Sequence, residues 1–158
     1  MRYHNITKDD MLNGEGLRTV LWVAGCSHHC PQCHNPVTWD INGGLVFDEQ
    51  AKEELFEELK KDYVSGVTFS GGDPFHLENR EEIGALAKEI REKFPDKTIW
   101  LYTGYEWEEI CHLSFLSNID VIVDGKFKIE EKDNNLHWKG SANQRVIDVK
   151  ASLRAGEV

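Results

Sequence analysis

The sequence predicts an α/β fold, a single-domain open, partial (β/α) barrel with a mostly parallel sheet. Three observations predict it. The first is a series of short apolar and β-branched runs along the chain, and the second is the set of helical patterns that alternate with them. Such alternation is typical of βαβ units with parallel strands. The third observation is the length of 158 residues, since a closed eight-fold barrel needs roughly 250 residues. We therefore expect residues 1–158 to form one domain that contains only part of a barrel, or a small open sheet.

Five segments are predicted to be strands, because each is a short run of β-branched and apolar residues bounded by turn residues. In chain order they cover residues 18–25, 65–72, 97–104, 119–125 and 144–149.

Three helices are predicted between these strands. The first begins after Asp48, a suitable N-cap residue, and repeats an apolar residue every fourth position, as at Leu55 and Leu59. The second covers about residues 79–94 and has a continuous apolar stripe, whereas the third, over residues 106–116, has a weaker one.

The charge balance of the chain argues against a nucleic-acid partner. Lysine and arginine total 18 against 28 aspartate and glutamate residues, which gives a formal net charge of -10 and disfavours binding to a phosphate backbone. No apolar stretch is long enough to span a bilayer, and the first residues do not resemble a signal peptide. We therefore expect a cytoplasmic protein without a membrane partner.

Three of the four cysteines lie in one short segment directly after the first predicted strand, VAGCSHHCPQCHNPVTW. Cys26, Cys30 and Cys33 form the pattern C-x3-C-x2-C. In a reducing compartment such closely spaced cysteines bind metal more often than they form disulfides. The remaining Cys111 is predicted to be a small buried residue of the third helix.

Two kinds of metal site fit this cysteine pattern. A structural zinc site needs a fourth ligand, which His28, His29 or His34 could supply. A [4Fe–4S] cluster normally takes four cysteines, so three would leave one iron free to bind a substrate. The spacing favours the iron–sulfur cluster, but it leaves both interpretations open.

The other unusual motifs also follow predicted strands. They are SGGDPF at residues 70–75, TGY at 103–105 and DGKF at 124–127. Because the carboxyl ends of parallel strands share one edge of a sheet, we expect these segments and the cysteines to meet in one pocket. Each motif taken alone is also typical of an ordinary turn.

Six segments of the chain carry a resemblance to a known family: NGEGLRTVLWVAGC, CPQCHNPVTW, GVTFSGGDPF, IWLYTGY, VDGKF and GSANQRVIDV. The C-x3-C-x2-C pattern after a strand resembles that of the radical S-adenosylmethionine enzymes, and the lead-in to it resembles that of the glycyl-radical-enzyme activases. Taken together, the segments are similar to the activating proteins of anaerobic ribonucleoside-triphosphate reductases. The likeness covers nearly the whole chain.

The resemblance implies a specific reaction. A [4Fe–4S] cluster would be bound by Cys26, Cys30 and Cys33, and S-adenosyl-L-methionine would chelate the fourth iron. One electron would cleave the sulfonium to methionine and a 5′-deoxyadenosyl radical, which would take a hydrogen atom from a glycine of the large catalytic subunit of the reductase. The family also implies a flavodoxin- or ferredoxin-like electron donor.

The resemblance further implies which residues hold S-adenosylmethionine. Those expected at its methionine end are Ser70, Gly71, Gly72 and Asp73. Further polar contacts are expected from Thr103, Asp124 and Lys126. Gln32 occupies the position where the superfamily often has an aromatic residue packed on adenine, so a backbone contact from Gln32 or His34 is the alternative.

Two other functions remain open at this point. One is a small zinc-binding adaptor, and the other is an activase of a different glycyl radical enzyme, such as a formate-lyase. The segment GSANQRVIDV and the short length favour the reductase.

Overall fold

The computed structural model describes residues 1–10, 14–25, 44–125 and 143–155. The strands of this part of the chain are β1 (Arg2–Asp10), β2 (Arg18–Val23), β3 (Leu45–Val46), β4 (Gly66–Gly71), β5 (Thr98–Tyr102), β6 (Val121–Asp124) and β7 (Arg145–Asp148). The helices are α1 (Glu49–Leu59), α2 (Arg80–Lys93), α3 (Trp107–Ile110) and α4 (Val149–Ala155), with a 3₁₀ helix at Ser114–Asn118.

These strands form one mixed sheet in the order β3-β1-β2-β4-β5-β6-β7. The central strands β2, β4, β5 and β6 are parallel to one another. Strand β1 is antiparallel to both β2 and β3, and β7 is antiparallel to β6. The predicted α/β class and the open sheet are confirmed for the described residues.

The prediction of a mostly parallel sheet is not confirmed, because three of the six strand pairings are antiparallel. Only residues 11–17 connect β1 to β2, and a parallel crossover needs about a dozen residues or more. Strand β1 was not predicted because its sequence, RYHNITKDD, is polar and buries only Ile6. Nor does this open mixed sheet confirm the predicted partial barrel.

All five predicted strands are present within one or two residues of their expected bounds. The first two helices are also confirmed, and the carboxylate of Asp48 accepts the Ala51 N–H at the start of α1, at 2.9 Å. The third is shorter than predicted, since α3 ends at Ile110 and a separate 3₁₀ helix follows. Cys111 therefore caps a short helix and is exposed, so the prediction that it is buried was wrong.

The main core lies on one face of the sheet. Alternate residues of the central strands, such as Phe69 of β4 and Leu101 of β5, pack there with the apolar sides of the helices, including Leu55 and Ile90. Burying these side chains is the main stabilising contribution to such a fold. The opposite face of the same strands carries residues such as Trp100. None of the described helices is both long and apolar enough to cross a membrane.

The amino ends of the central strands are joined by Arg18, which is fully buried. Its guanidinium donates hydrogen bonds of 2.7 to 3.0 Å to Glu15 O, Val67 O, Thr68 Oγ1, and both Thr98 O and Thr98 Oγ1. Burial lowers the pKa of Arg18 to about 10, so the side chain remains charged at neutral pH. One cation thereby links three strands at this edge.

Candidate active site

The last residues before Cys26 are held against the segment that follows β4. The Gly72 N–H donates to Val23 O at 2.8 Å, and the Asp73 N–H donates to Gly25 O at 2.7 Å. These bonds continue the parallel pairing of β2 with β4 beyond the ends of both strands. The predicted meeting of the first two motifs is therefore observed as far as Gly25.

A close approach between these strands requires glycine at position 71. Gly71 has a φ of 105°, a backbone conformation that L-residues with a side chain rarely adopt. A Cβ built on Gly71 would lie 2.5 Å from both the N and the O of Val23. The glycine predicted to approach a ligand thus also lets β4 approach β2.

The carboxylate of Asp73 joins the end of β4 to the end of β5. Its Oδ1 accepts hydrogen bonds from the Phe75 N–H at 2.9 Å and the Thr103 hydroxyl at 2.8 Å, and its Oδ2 accepts the Gly104 N–H at 2.9 Å. The side chain is 1% exposed. Two of the predicted ligand contacts, Asp73 and Thr103, are therefore bonded to each other.

The end of β5 is linked to the end of β6 in a similar way. The Thr103 N–H donates to Val123 O, and the Gly125 N–H donates to Tyr105 O, both at 3.0 Å. The ends of β2, β4, β5 and β6 consequently form one hydrogen-bonded edge, as the order of motifs predicted.

Asp124 is also enclosed by groups of the chain itself and is 1% exposed. Its Oδ2 accepts the Trp107 N–H at 2.9 Å, and its Oδ1 accepts the Arg145 N–H at 3.2 Å. The Arg145 guanidinium donates to both carboxylate oxygens and reaches Glu108 at 2.9 Å. The bond to Asp124 is the main cause that raises the pKa of Arg145 above its usual value.

The structure also shows a residue at this edge that the sequence analysis did not assign to the site. The Asn79 side chain is fully buried, and its Nδ2 donates to Ala24 O at 2.8 Å. Nearby, the Arg80 guanidinium donates to Phe75 O at 2.9 and 3.0 Å and lies over the ring of Tyr105. Together these side chains fix the 73–80 segment between β2 and β5.

Comparison with known proteins identifies the family. The chain matches the family model described as "4Fe-4S single cluster domain" over residues 12–147. It is 44% identical over 146 residues to the protein named "Anaerobic ribonucleoside-triphosphate reductase-activating protein" of Enterobacteria phage T4, and the match covers 92% of this chain and 93% of that protein. The chain belongs to the family of anaerobic ribonucleoside-triphosphate reductase-activating proteins.

Bacterial members of this activating-protein family match over a similar extent. Those of Salmonella typhimurium and Escherichia coli K12 are 40% and 39% identical over 150 residues, with 92% of this chain and 97% of each relative covered. The resemblance noted in the sequence motifs is therefore confirmed, and the match to an iron–sulfur family model favours a cluster over zinc.

Several of the predicted site residues lie outside the described residues, namely Cys26, Cys30, Cys33, Gln32, His34 and Lys126. The donor set of three closely spaced thiols suits an iron–sulfur cluster. Within the described part of the chain, no group of three His, Cys, Asp or Glu side chains could hold a metal ion. The cysteine pattern thus predicts the ligands in the segment directly after Gly25, within the range that the family model matches.

Ser70 lies on the face of the sheet away from the helices. It pairs with Trp22 across the strands, and its neighbour Phe69 points into the core. It is therefore beside, rather than part of, the bonded network of Asp73 and Thr103. Neither Asn79 nor Arg145 was predicted as a site residue, because neither belongs to the motifs that directly follow the strands, although Arg145 lies in the segment GSANQRVIDV.

Proposed function

We propose that this chain is an activase that uses a [4Fe–4S] cluster to cleave S-adenosylmethionine reductively and to generate a glycyl radical on anaerobic ribonucleoside-triphosphate reductase. The observation that carries the proposal is the family match over residues 12–147, together with relatives that share this name. The bonded edge of strand ends beside Gly25 supports it, since ligands of α/β proteins bind at that edge.

In this proposal Cys26, Cys30 and Cys33 hold the cluster, and S-adenosylmethionine lies across the ends of β4, β5 and β6. The bound cluster would supply one electron to split a carbon–sulfur bond of the sulfonium, and the adenosyl fragment so formed would take a hydrogen atom from a glycine of the partner. The proposed contacts of the ligand are Gln32, His34, Ser70, Gly71, Gly72, Asp73, Thr103, Asp124 and Lys126.

The geometry separates these contacts into two groups. Asp73 and Asp124 are buried and bonded to the chain's own donors, so their strongest contribution is to hold neighbouring backbone groups in place. Thr103 belongs to the same group, because it is buried and its hydroxyl donates to Asp73, whereas Gly71 and Gly72 are partly exposed. Fixed positions are valuable for this chemistry, because a primary carbon radical must meet its target before it meets anything else.

The partner in this proposal is the large catalytic subunit of the reductase, and the electron donor is a flavodoxin- or ferredoxin-like protein of the cytoplasm. The proposed fold is a single radical S-adenosylmethionine domain over residues 1–158, with a partial barrel whose open side admits a loop of the partner. The sheet face that carries Ser70 and Trp100 would line that barrel.

The test is S-adenosylmethionine cleavage by the anaerobically reconstituted protein. After chemical reduction we expect methionine and 5′-deoxyadenosine in equal amounts. Changing any one of Cys26, Cys30 or Cys33 to Ala should abolish both products, whereas Cys111→Ala should retain most of the activity, because Cys111 is exposed at the end of α3. Full turnover in Cys30→Ala would contradict the ligand assignment.

Two further observations separate the alternatives. A protein that carries iron and sulfide is brown and bleaches in air, whereas a zinc protein is colourless. Mixing the reduced protein and S-adenosylmethionine with either the reductase subunit or a formate-lyase, followed by electron paramagnetic resonance (EPR), should give a glycyl radical signal only with the reductase.

A further inference from the structure

We propose that Asn79 is a positioning residue for the cluster: its side-chain amide holds the strand end from which Cys26 extends. Nothing in the motifs or in the family resemblance assigns a role to this asparagine. Because the role depends on the cluster at Cys26, Cys30 and Cys33, it rests on the proposed function.

The first step is the pattern of bonds before Cys26. Three consecutive carbonyls, those of Val23, Ala24 and Gly25, accept hydrogen bonds from the segment after β4. The first and third are bonded by the backbone N–H groups of Gly72 and Asp73, at 2.8 and 2.7 Å. The middle one is bonded by the Asn79 side chain at 2.8 Å, so this is the one of the three bonds that a side-chain substitution removes.

The second step is the orientation of Asn79. It is the N-cap residue of α2, a position where asparagine commonly bonds the first turn of the helix. Here its side chain makes no capping bond and instead reaches Ala24. Its backbone is fixed by bonds to His76 O at 2.7 Å and from the Ile83 N–H at 3.0 Å, so the amide is presented to β2 from a rigid helix end.

The third step is the environment of the amide. Asn79 is 0% exposed, and among the described residues its Oδ1 has no hydrogen-bond partner. Burying a polar amide is costly unless its groups are paired, and its Nδ2 is paired with the residue that stands two before Cys26. A role in placing the segment after Gly25 explains why a polar side chain occupies this site.

The fourth step is the short covalent distance to the metal ligand. Ala24 stands only two residues before Cys26. In this proposal a shift of Ala24 would therefore change the position from which Cys26 extends. The properties of iron–sulfur clusters depend on hydrogen bonding and solvent access around the sulfurs, and loss of an outer partner weakens metal binding by about 10-fold or more.

The experiment compares Asn79→Ala and Asn79→Asp with Asn118→Ala in the reconstituted protein. Asn79→Asp keeps the volume and removes the donor, and Asn118 precedes β6 at the opposite edge of the sheet. We expect both Asn79 variants to lose iron to a chelator about 10-fold faster than the parent, with a shifted EPR spectrum of the reduced cluster. Asn118→Ala should match the parent in both measurements.

Should Asn79→Ala fail to fold, Asn79→Asp carries the same comparison, and hydrogen exchange on the unaltered protein gives an independent one. The side-chain amide protons of Asn79 should exchange more slowly than those of Asn118. Parent-like iron loss and spectra in the folded variants, or equal exchange of the two amides, would overturn the role of Asn79. A parent protein that binds no cluster would instead contradict the proposed function.

Discussion

At the scale of single residues, the buried carboxylates at the strand ends are the most informative feature. Asp73 accepts three hydrogen bonds from the chain itself, and Asp124 accepts bonds from Trp107 and Arg145. A buried carboxylate needs such donors to offset the loss of water. Both residues therefore shape the candidate site through the backbone groups they hold.

Asp73→Asn tests this interpretation of Asp73. The substitution keeps the shape but replaces one acceptor oxygen by an NH₂ group, which must face either the donors of Phe75 and Thr103 or the donor of Gly104. We expect the free energy of unfolding of the metal-free protein to fall by about 2 kcal/mol, measured by urea unfolding. Asp62→Asn, at an exposed position, is the control and should change it by less than about 0.5 kcal/mol. Equal effects of the two substitutions would show that the bonds of Asp73 contribute little.

At the scale of elements, the site depends on how closely β4 approaches β2. The two strands pair in parallel register from Arg18 with Gly66 to Val23 with Gly71, and the backbone of Val23 occupies the space where a side chain at position 71 would stand. The approach brings the segment after β4 within bonding distance of the residues before Cys26. Local sequence therefore sets the distance between two motifs that are far apart in the chain.

Gly71→Ala and Gly125→Ala separate the effect of this contact from that of backbone conformation. Both glycines have positive φ, 105° and 93°, so both substitutions bear the conformational cost. A Cβ at Gly125 would have no neighbour closer than 3.6 Å among the described residues, whereas one at Gly71 would meet Val23 at 2.5 Å. We expect Gly71→Ala to lower the free energy of unfolding by about 1 to 3 kcal/mol more than Gly125→Ala, by urea unfolding. Similar losses would mean that the strands adjust freely.

At the scale of the whole molecule, the carboxyl and amino edges of the parallel strands carry residues with different roles. The carboxyl edge carries the candidate site, and the amino edge carries Arg18, which makes five hydrogen bonds to main-chain and hydroxyl oxygens of the described residues. These bonds join the start of β2 to β4 and β5. The amino edge can thus stabilise the sheet without contacting the site.

Arg18→Lys tests this separation of stability from site chemistry. A lysine ammonium has fewer donors than a guanidinium and a different shape, so some of the buried oxygens lose their partner. We expect the free energy of unfolding to fall by roughly 3 kcal/mol, while the EPR spectrum of the reduced cluster in the folded, reconstituted variant stays that of the parent. A changed spectrum would show that the two edges are coupled.

Most of the central architecture could be predicted from the sequence. The five strands and the first two helices have regular patterns of apolar residues that predict their type directly. All of them are present. The polar strand β1 and the two-residue β3 have no such pattern. They are stabilised by pairing with neighbouring strands, which their own sequences do not indicate. The exposure of Cys111 was not predicted, because the end of α3 at Ile110 has no signal in the periodicity of the sequence.

The sequence by itself indicated the family, and it predicted a ligand set of three thiols and the edge of the sheet at which the motifs meet. Three thiols at fixed spacing and motifs after parallel strands are properties of residue type and order, which need no coordinates. Only the tertiary structure decided how the motifs are joined: Asp73 to Thr103, Asp124 to Arg145 and Asn79 to Ala24. These partners lie 21 or more residues apart, and hydrogen bonds over such separations form only after the sheet has brought the strand ends together.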